Sequence, residues 1–132
     1  MKSRKITAFL LICGLMVSML ALYPVAVSAR WLNTASISCD LNFSGRNANC
    51  SGSINAYSGS TISGTLTLER KNGSSWDFVK SWTKSSSNPW LIFDENFTVS
   101  SAGTYRVVLT ATVTRAGVSE NVSITSSEKT CT

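Results

Sequence analysis

Gly103-Thr104-Tyr105-Arg106-Val107-Val108-Leu109-Thr110-Ala111-Thr112-Val113-Thr114-Arg115 is the stretch on which the fold turns. Tyr105, Val107, Leu109, Ala111 and Val113 share one parity, while Thr110, Thr112 and Thr114 hold the other. Successive side chains of an extended strand point to opposite faces, so the five apolar residues line one buried face. The same period of two runs through most of residues 30–132. Ile37, Cys39, Leu41 and Phe43 form one such ladder, and Ala48, Cys50, Ile54 and Ala56 the next. Ile62, Leu66 and Leu68 follow, then Trp76 to Trp82, Trp90 to Val99, and finally Val118, Val122 and Ile124. Seven strands punctuated by Gly, Asn and Ser predict an all-β fold, a single antiparallel β-sandwich. No segment sustains a helical period.

Outside this region the sequence changes character. Met1 to Lys5 carry Lys2, Arg4 and Lys5, and Ala8 to Leu22 run almost without a polar side chain. Pro24 then precedes Val27-Ser28-Ala29, whose small side chains suit a leader peptidase. Residues 1–29 therefore read as a signal-peptide helix and residues 30–132 as the secreted domain, cleaved before Arg30. The apolar run is short for a permanent membrane span. Ile12-Cys13 lacks the small residue that a lipidation site needs before its cysteine. Release into the extracellular space is expected, with no membrane partner after cleavage and a monomeric product.

The formal charge of +5 is mostly leader. Residues 30–132 hold nine Lys/Arg against seven Asp/Glu, which argues against a nucleic-acid-binding face. Histidine is missing from the chain, so the commonest general base and zinc ligand are unavailable. Ser, Thr and Asn supply 42 of the 103 residues, side chains that suit solvated strand faces and turns.

Parity also constrains the hairpins. Val113 opposite Val118 aligns Leu109 with Val122 and Val107 with Ile124, and leaves Glu120 opposite Ala111. Glu120 is then expected near the rim, with an Arg partner. A loop of Lys71-Asn72-Gly73 pairs Leu68 with Trp76, Leu66 with Phe78 and Ile62 with Trp82, burying three aromatics. A two-residue turn at Asn72-Gly73 sends them outward instead, with Val79 inside. Glu95 interrupts the parity of Leu91, Phe93, Phe97 and Val99; a bulge at Asp94–Asn96 accounts for it, a two-carboxylate site being the sharper alternative.

Three cysteines lie beyond the leader. A turn centred on Ser44-Gly45 places Cys39 opposite Cys50, close enough for a disulfide. Either residue bridged to Cys131 is the rival pairing. No C-x-x-C occurs, so redox catalysis and structural zinc are not indicated.

Gly103-Thr104-Tyr105-Arg106-Val107 resembles the sixth-strand signature of immunoglobulin-like and fibronectin-III-like domains, in which a tyrosine near the strand start braces the corner. Val107 stands where antibody-type domains carry a cysteine, so their inter-sheet disulfide is not expected. With the Cys39/Cys50 hairpin and Trp76-x-x-Val79-x-x-Trp82, the region resembles small secreted Ig-like β-sandwich proteins of Gram-positive bacteria. That resemblance implies an Ig-like fold and no particular activity.

A secreted, non-catalytic domain that binds an extracellular protein or glycan is the leading expectation. Trp76, Trp82, Trp90 and Tyr57 are its candidate contact residues. A small secreted effector (inhibitor, antimicrobial or immune-modulating) is the alternative. An enzyme is disfavoured because no serine has a histidine base; no catalytic residue, cofactor or metal site is assigned.

Overall fold

The computed structural model describes residues 31–132; the proposed leader lies outside them. They form eight strands and no helix: β1 (Thr34–Ser44), β2 (Asn47–Ala56), β3 (Ser60–Asn72), β4 (Ser75–Ser86), β5 (Trp90–Thr98), β6 (Gly103–Arg115), β7 (Val118–Thr125) and β8 (Lys129–Cys131). One antiparallel sheet has the order β1-β2-β5 and the other β4-β3-β6-β7. The short β8, not expected from the sequence, pairs with β6 at Gly103–Tyr105, while β7 pairs with it from Val108 onward.

The inward parity forms the core. Leu41, Ile54, Leu66, Leu68, Phe93, Tyr105, Val107, Leu109 and Val113 are all essentially inaccessible to solvent. Tyr105 carries its one polar atom out of this core by donating from its hydroxyl to the Ser101 carbonyl at 2.7 Å. That bond ties the start of β6 to the loop before it. Gly52 and Gly64 let the sheets approach: a Cβ on Gly52 would lie 3.1 Å from Leu109 Cδ2, and one on Gly64 3.0 Å from Leu91 Cδ2.

Two hairpins close with a register two residues from the expected one. Leu41 faces Cys50 and Cys39 faces Gly52, because the turn is Gly45-Arg46, with Gly45 at a φ of 60°. Arg115 pairs with Val118 across Ala116-Gly117, whose φ values are 51° and 76°. Two central residues at positive φ match the right-handed twist of the flanking strands. A shift of two keeps every side chain on its face, so the core survives while the cross-strand partners change.

That shift overturns the expected disulfide. Cys39 and Cys50 share the inner face but are diagonal rather than opposite, and Cys39, Cys50 and Cys131 are all free thiols. Cys39 Sγ lies 3.7 Å from the Ile124 carbonyl and 3.8 Å from that of Val107. Cys131 Sγ lies 3.3 Å from the Gly45 carbonyl. Each sulfur packs as a small apolar group.

The fourth strand follows neither expected register, because the turn is Gly73-Ser74, with Gly73 at a φ of 61°. Asn72 pairs with Ser75, Lys71 with Trp76 and Glu69 with Phe78; the register then shifts, and Leu68 pairs with Lys80 and Leu66 with Trp82. Val79 is the extra, unpaired residue of this bulge, and it packs against the core. A bulge reverses parity along a strand. Trp82 therefore turns in against the core, whereas Phe78 is exposed and Trp76 lies over the outer face.

β5 carries no bulge: Ser51, Cys50 and Asn49 pair in step with Asp94, Glu95 and Asn96. Glu95 keeps its inward parity and is neutralised by Lys84, which reaches from β4 to within 2.6 Å. The ion pair bridges the edge strands of the two sheets. Glu120 lies opposite Val113, not Ala111, and pairs with no Arg among the described residues. Its carboxylate accepts from the backbone N–H groups of Leu32 and Asn33, at 2.9 and 2.6 Å.

Candidate recognition surface

The outer face of β1-β2-β5 is built from the parity opposite to the core. Its rows run across three strands: Ser36, Asn55 and Trp90; Ser38, Ser53 and Ile92; Asp40, Ser51 and Asp94; Asn42, Asn49 and Asn96. Pro89 precedes β5 and its carbonyl accepts the Ala56 N–H at 2.8 Å, which anchors the strand start. Trp90 is consequently held on the sheet face and not on a free loop. It is 52% exposed and Ile92 is 62% exposed, two large apolar side chains side by side on an edge strand.

Around them the polar side chains hold one another in place. Asn55 Nδ2 donates to Ser36 Oγ at 3.2 Å, and Asn42 Nδ2 to Asp40 Oδ2 at 3.0 Å. Asn49 Nδ2 donates to Asp94 Oδ1 at 3.0 Å and to Asn96 Oδ1 at 3.3 Å. The result is a sheet face with an apolar end and an amide–carboxylate end. Such a face supplies stacking area beside fixed donors and acceptors, the combination that non-covalent recognition uses.

The other residues selected from the sequence are not gathered there. Trp82 belongs to the core margin. Trp76 lies on the outer face of the five-stranded sheet, with the Arg106 guanidinium 4.1 Å from its ring centroid and Lys71 Nζ at 5.9 Å. Arg106 is itself bound to Glu69 at 2.9 Å, so that ring is covered by a satisfied cation. Tyr57 is exposed in the loop between β2 and β3, with the Arg115 guanidinium 5.6 Å from its ring. Of the four candidates, Trp90 alone stands on the β1-β2-β5 face, and Ile92 joins it. Ile92 was legible through its parity with Trp90 and against Leu91 and Phe93.

Neither Cys39 nor Cys50 is an activated nucleophile. Burial, helped by the Glu95 charge, pushes Cys50 up to about 12. Burial also raises Cys39. Both stay protonated near neutral pH, and a thiol is a poor nucleophile. Among the described residues, no group of three or more His, Cys, Asp or Glu side chains is arranged to hold a metal ion.

No protein-family model matches the sequence, and no curated protein does. Among solved structures the chain is similar to wild-type OgpA from Akkermansia muciniphila, at 12% identity and a TM-score of 0.44. The match covers 80% of this chain and 33% of that one, so the chain spans about a third of the length of the protein it resembles.

Proposed function

We propose that residues 30–132 are a secreted, non-catalytic recognition domain that binds an extracellular glycan or protein through the outer face of β1-β2-β5. The observation that carries this reading is the exposed Trp90–Ile92 pair beside the hydrogen-bonded Asn, Ser and Asp side chains of the same sheet. Two apolar side chains left in water on a rigid strand, with ordered polar neighbours, favour a contact surface over a solvated face. We further propose that the sandwich is of the immunoglobulin-like or fibronectin-III-like kind. Its β1-β2-β5 and β4-β3-β6-β7 orders and the Tyr105 hydroxyl on the Ser101 carbonyl support that architecture.

A glycan array and a cross-linking pull-down from intact cell surfaces, each run with wild type and with Trp90→Ala/Ile92→Ser, test the function. Binding that the double variant abolishes, with an unchanged unfolding midpoint, is the expected result. Binding that survives the double variant, or none in either format, overturns the reading.

A further inference from the structure

Charge is divided unevenly between the two sheets. Residues 30–132 hold nine Lys/Arg and seven Asp/Glu, yet β1, β2 and β5 contain no lysine or arginine. They do contain Asp40, Asp94 and Glu95. Glu95 turns inward and is met by Lys84 from β4 at 2.6 Å. Asp40 and Asp94 are exposed on the outer face, in one row on either side of Ser51, and among the described residues no cation pairs with either. Asn42 donates to Asp40 at 3.0 Å and Asn49 to Asp94 at 3.0 Å, which fixes each carboxylate without neutralising it. Elsewhere the acids are satisfied differently: Glu69 and Glu128 by Arg106 and Lys71, and Glu120 by two backbone amides.

These two carboxylates share their face with Trp90 and Ile92, which stand in the neighbouring rows. Each part of the face suits a feature of an arginine or lysine side chain. An indole face attracts a guanidinium or ammonium group, and the aliphatic stem packs on apolar surface such as Ile92. A carboxylate accepts charge-assisted hydrogen bonds from the head group. Asp40 and Asp94 are two interstrand spacings apart, about 10 Å, so one cation does not serve both and the partner brings at least two. A neutral glycan would leave both charges uncompensated, and Ile92 offers a sugar neither a flat ring nor a hydrogen-bonding group.

We infer that the outer face of β1-β2-β5 recognises a basic segment of an extracellular protein, one that presents at least two arginine or lysine side chains beside an apolar one. This rests on the recognition role proposed for Trp90 and Ile92 and narrows the partner from glycan or protein to a cationic peptide chain. The carboxylates steer the encounter and set its salt dependence, and the apolar pair holds the bound segment.

Selection of a random peptide library on residues 30–132 tests it; the core lies within Ile37–Cys131, and Trp31–Thr132 form one compact unit. Enriched peptides are expected to carry two or more Arg or Lys with an apolar residue, and fluorescence anisotropy reads their binding at low and high salt. Asp40→Asn/Asp94→Asn keeps the acceptors for Asn42 and Asn49 while removing both charges. It should weaken binding roughly tenfold and abolish most of the salt dependence, whereas Asp77→Asn, an exposed carboxylate on β4, changes neither. Trp90→Ala/Ile92→Ser should also weaken binding by about tenfold or more. Enriched peptides that lack basic residues, basic peptides indifferent to the aspartate pair, or no enrichment at all overturn the inference. So does binding of a glucosamine oligomer in place of peptides, which would give the face to an amino glycan. In each case a ligand that still needs Trp90 and Ile92 leaves the recognition role standing, and only the absence of any such ligand removes both.

Discussion

Replacing Asn33 with Ala removes a side chain that the hydrophobic pattern gives no reason to notice. Its Nδ2 is a donor to two carbonyls, Val113 on β6 and Val118 on β7, and the residue is 2% exposed. Each hydrogen bond contributes about 1 kcal/mol net, and truncating the buried side chain that packs there adds about 1 kcal/mol or more. The expected loss is about 2–4 kcal/mol, or a fall in Tm of about 10–20 °C for a domain of this size. Asn33→Asp is the discriminating companion. It keeps the shape but turns an acceptor toward two acceptors, so it destabilises at least as much as Ala. Urea unfolding followed by tryptophan fluorescence gives both values. Native-state hydrogen exchange should also show the Tyr57 amide, which donates to the Asn33 carbonyl, losing protection before the β3–β6 ladder does. Variants within about 0.5 kcal/mol of wild type would refute the assignment of Asn33 as the clasp that ties the start of β1 to β6 and β7.

Alkylation in denaturant without reductant should modify all three cysteines of residues 30–132, and alkylation of the native protein almost none; any cysteine protected in denaturant would indicate a disulfide. Cys50 also gives stability a sign with pH. Its folded pKa is raised from 9.0 to about 12, so the contribution is complete below pH 9 and disappears as the pH climbs toward 12. Cys50→Ala should flatten the alkaline fall in unfolding midpoint, and a slope unchanged by the substitution would count against the buried thiol. Trp82→Ala should cost about 2–4 kcal/mol and Phe78→Ala less than about 0.5, since the Val79 bulge turns one inward and the other out. Equal costs in equilibrium unfolding would mean that the bulge is misplaced.

The architecture was legible because parity is a robust signal: β6 and its five inward residues read directly from Tyr105 to Val113. Registers were less legible for the reason that makes parity robust. A slip of two leaves every side chain on its own face, and only the turn distinguishes the alternatives. Gly45-Arg46 and Ala116-Gly117 carry weak turn signals, and Ala116 at a φ of 51° runs against its usual preference. The disulfide expectation failed with the register, since it needed Cys39 opposite Cys50. In β4 neither expected pairing occurs; each expected parity holds on one side of the bulge, and only packing of Val79 against the core fixes where they meet. Glu95 and Glu120 are solved by partners on distant elements, Lys84 and the amides of Leu32 and Asn33, which local spacing does not encode. At the candidate surface, the exposure of Trp90 follows from its outward parity on an edge strand, whereas Trp76, Trp82 and Tyr57 are dispersed over other parts of the domain.

The recognition surface requires Trp90 to stand in water on a strand whose neighbouring tryptophan, Trp82, is shielded. Acrylamide quenching of two proteins that each retain a single tryptophan, one Trp90 and the other Trp82, measures this contrast. Trp90 should quench several-fold faster than Trp82, with an emission maximum close to that of solvated indole. Equal quenching, or a blue-shifted and protected Trp90, would contradict the account.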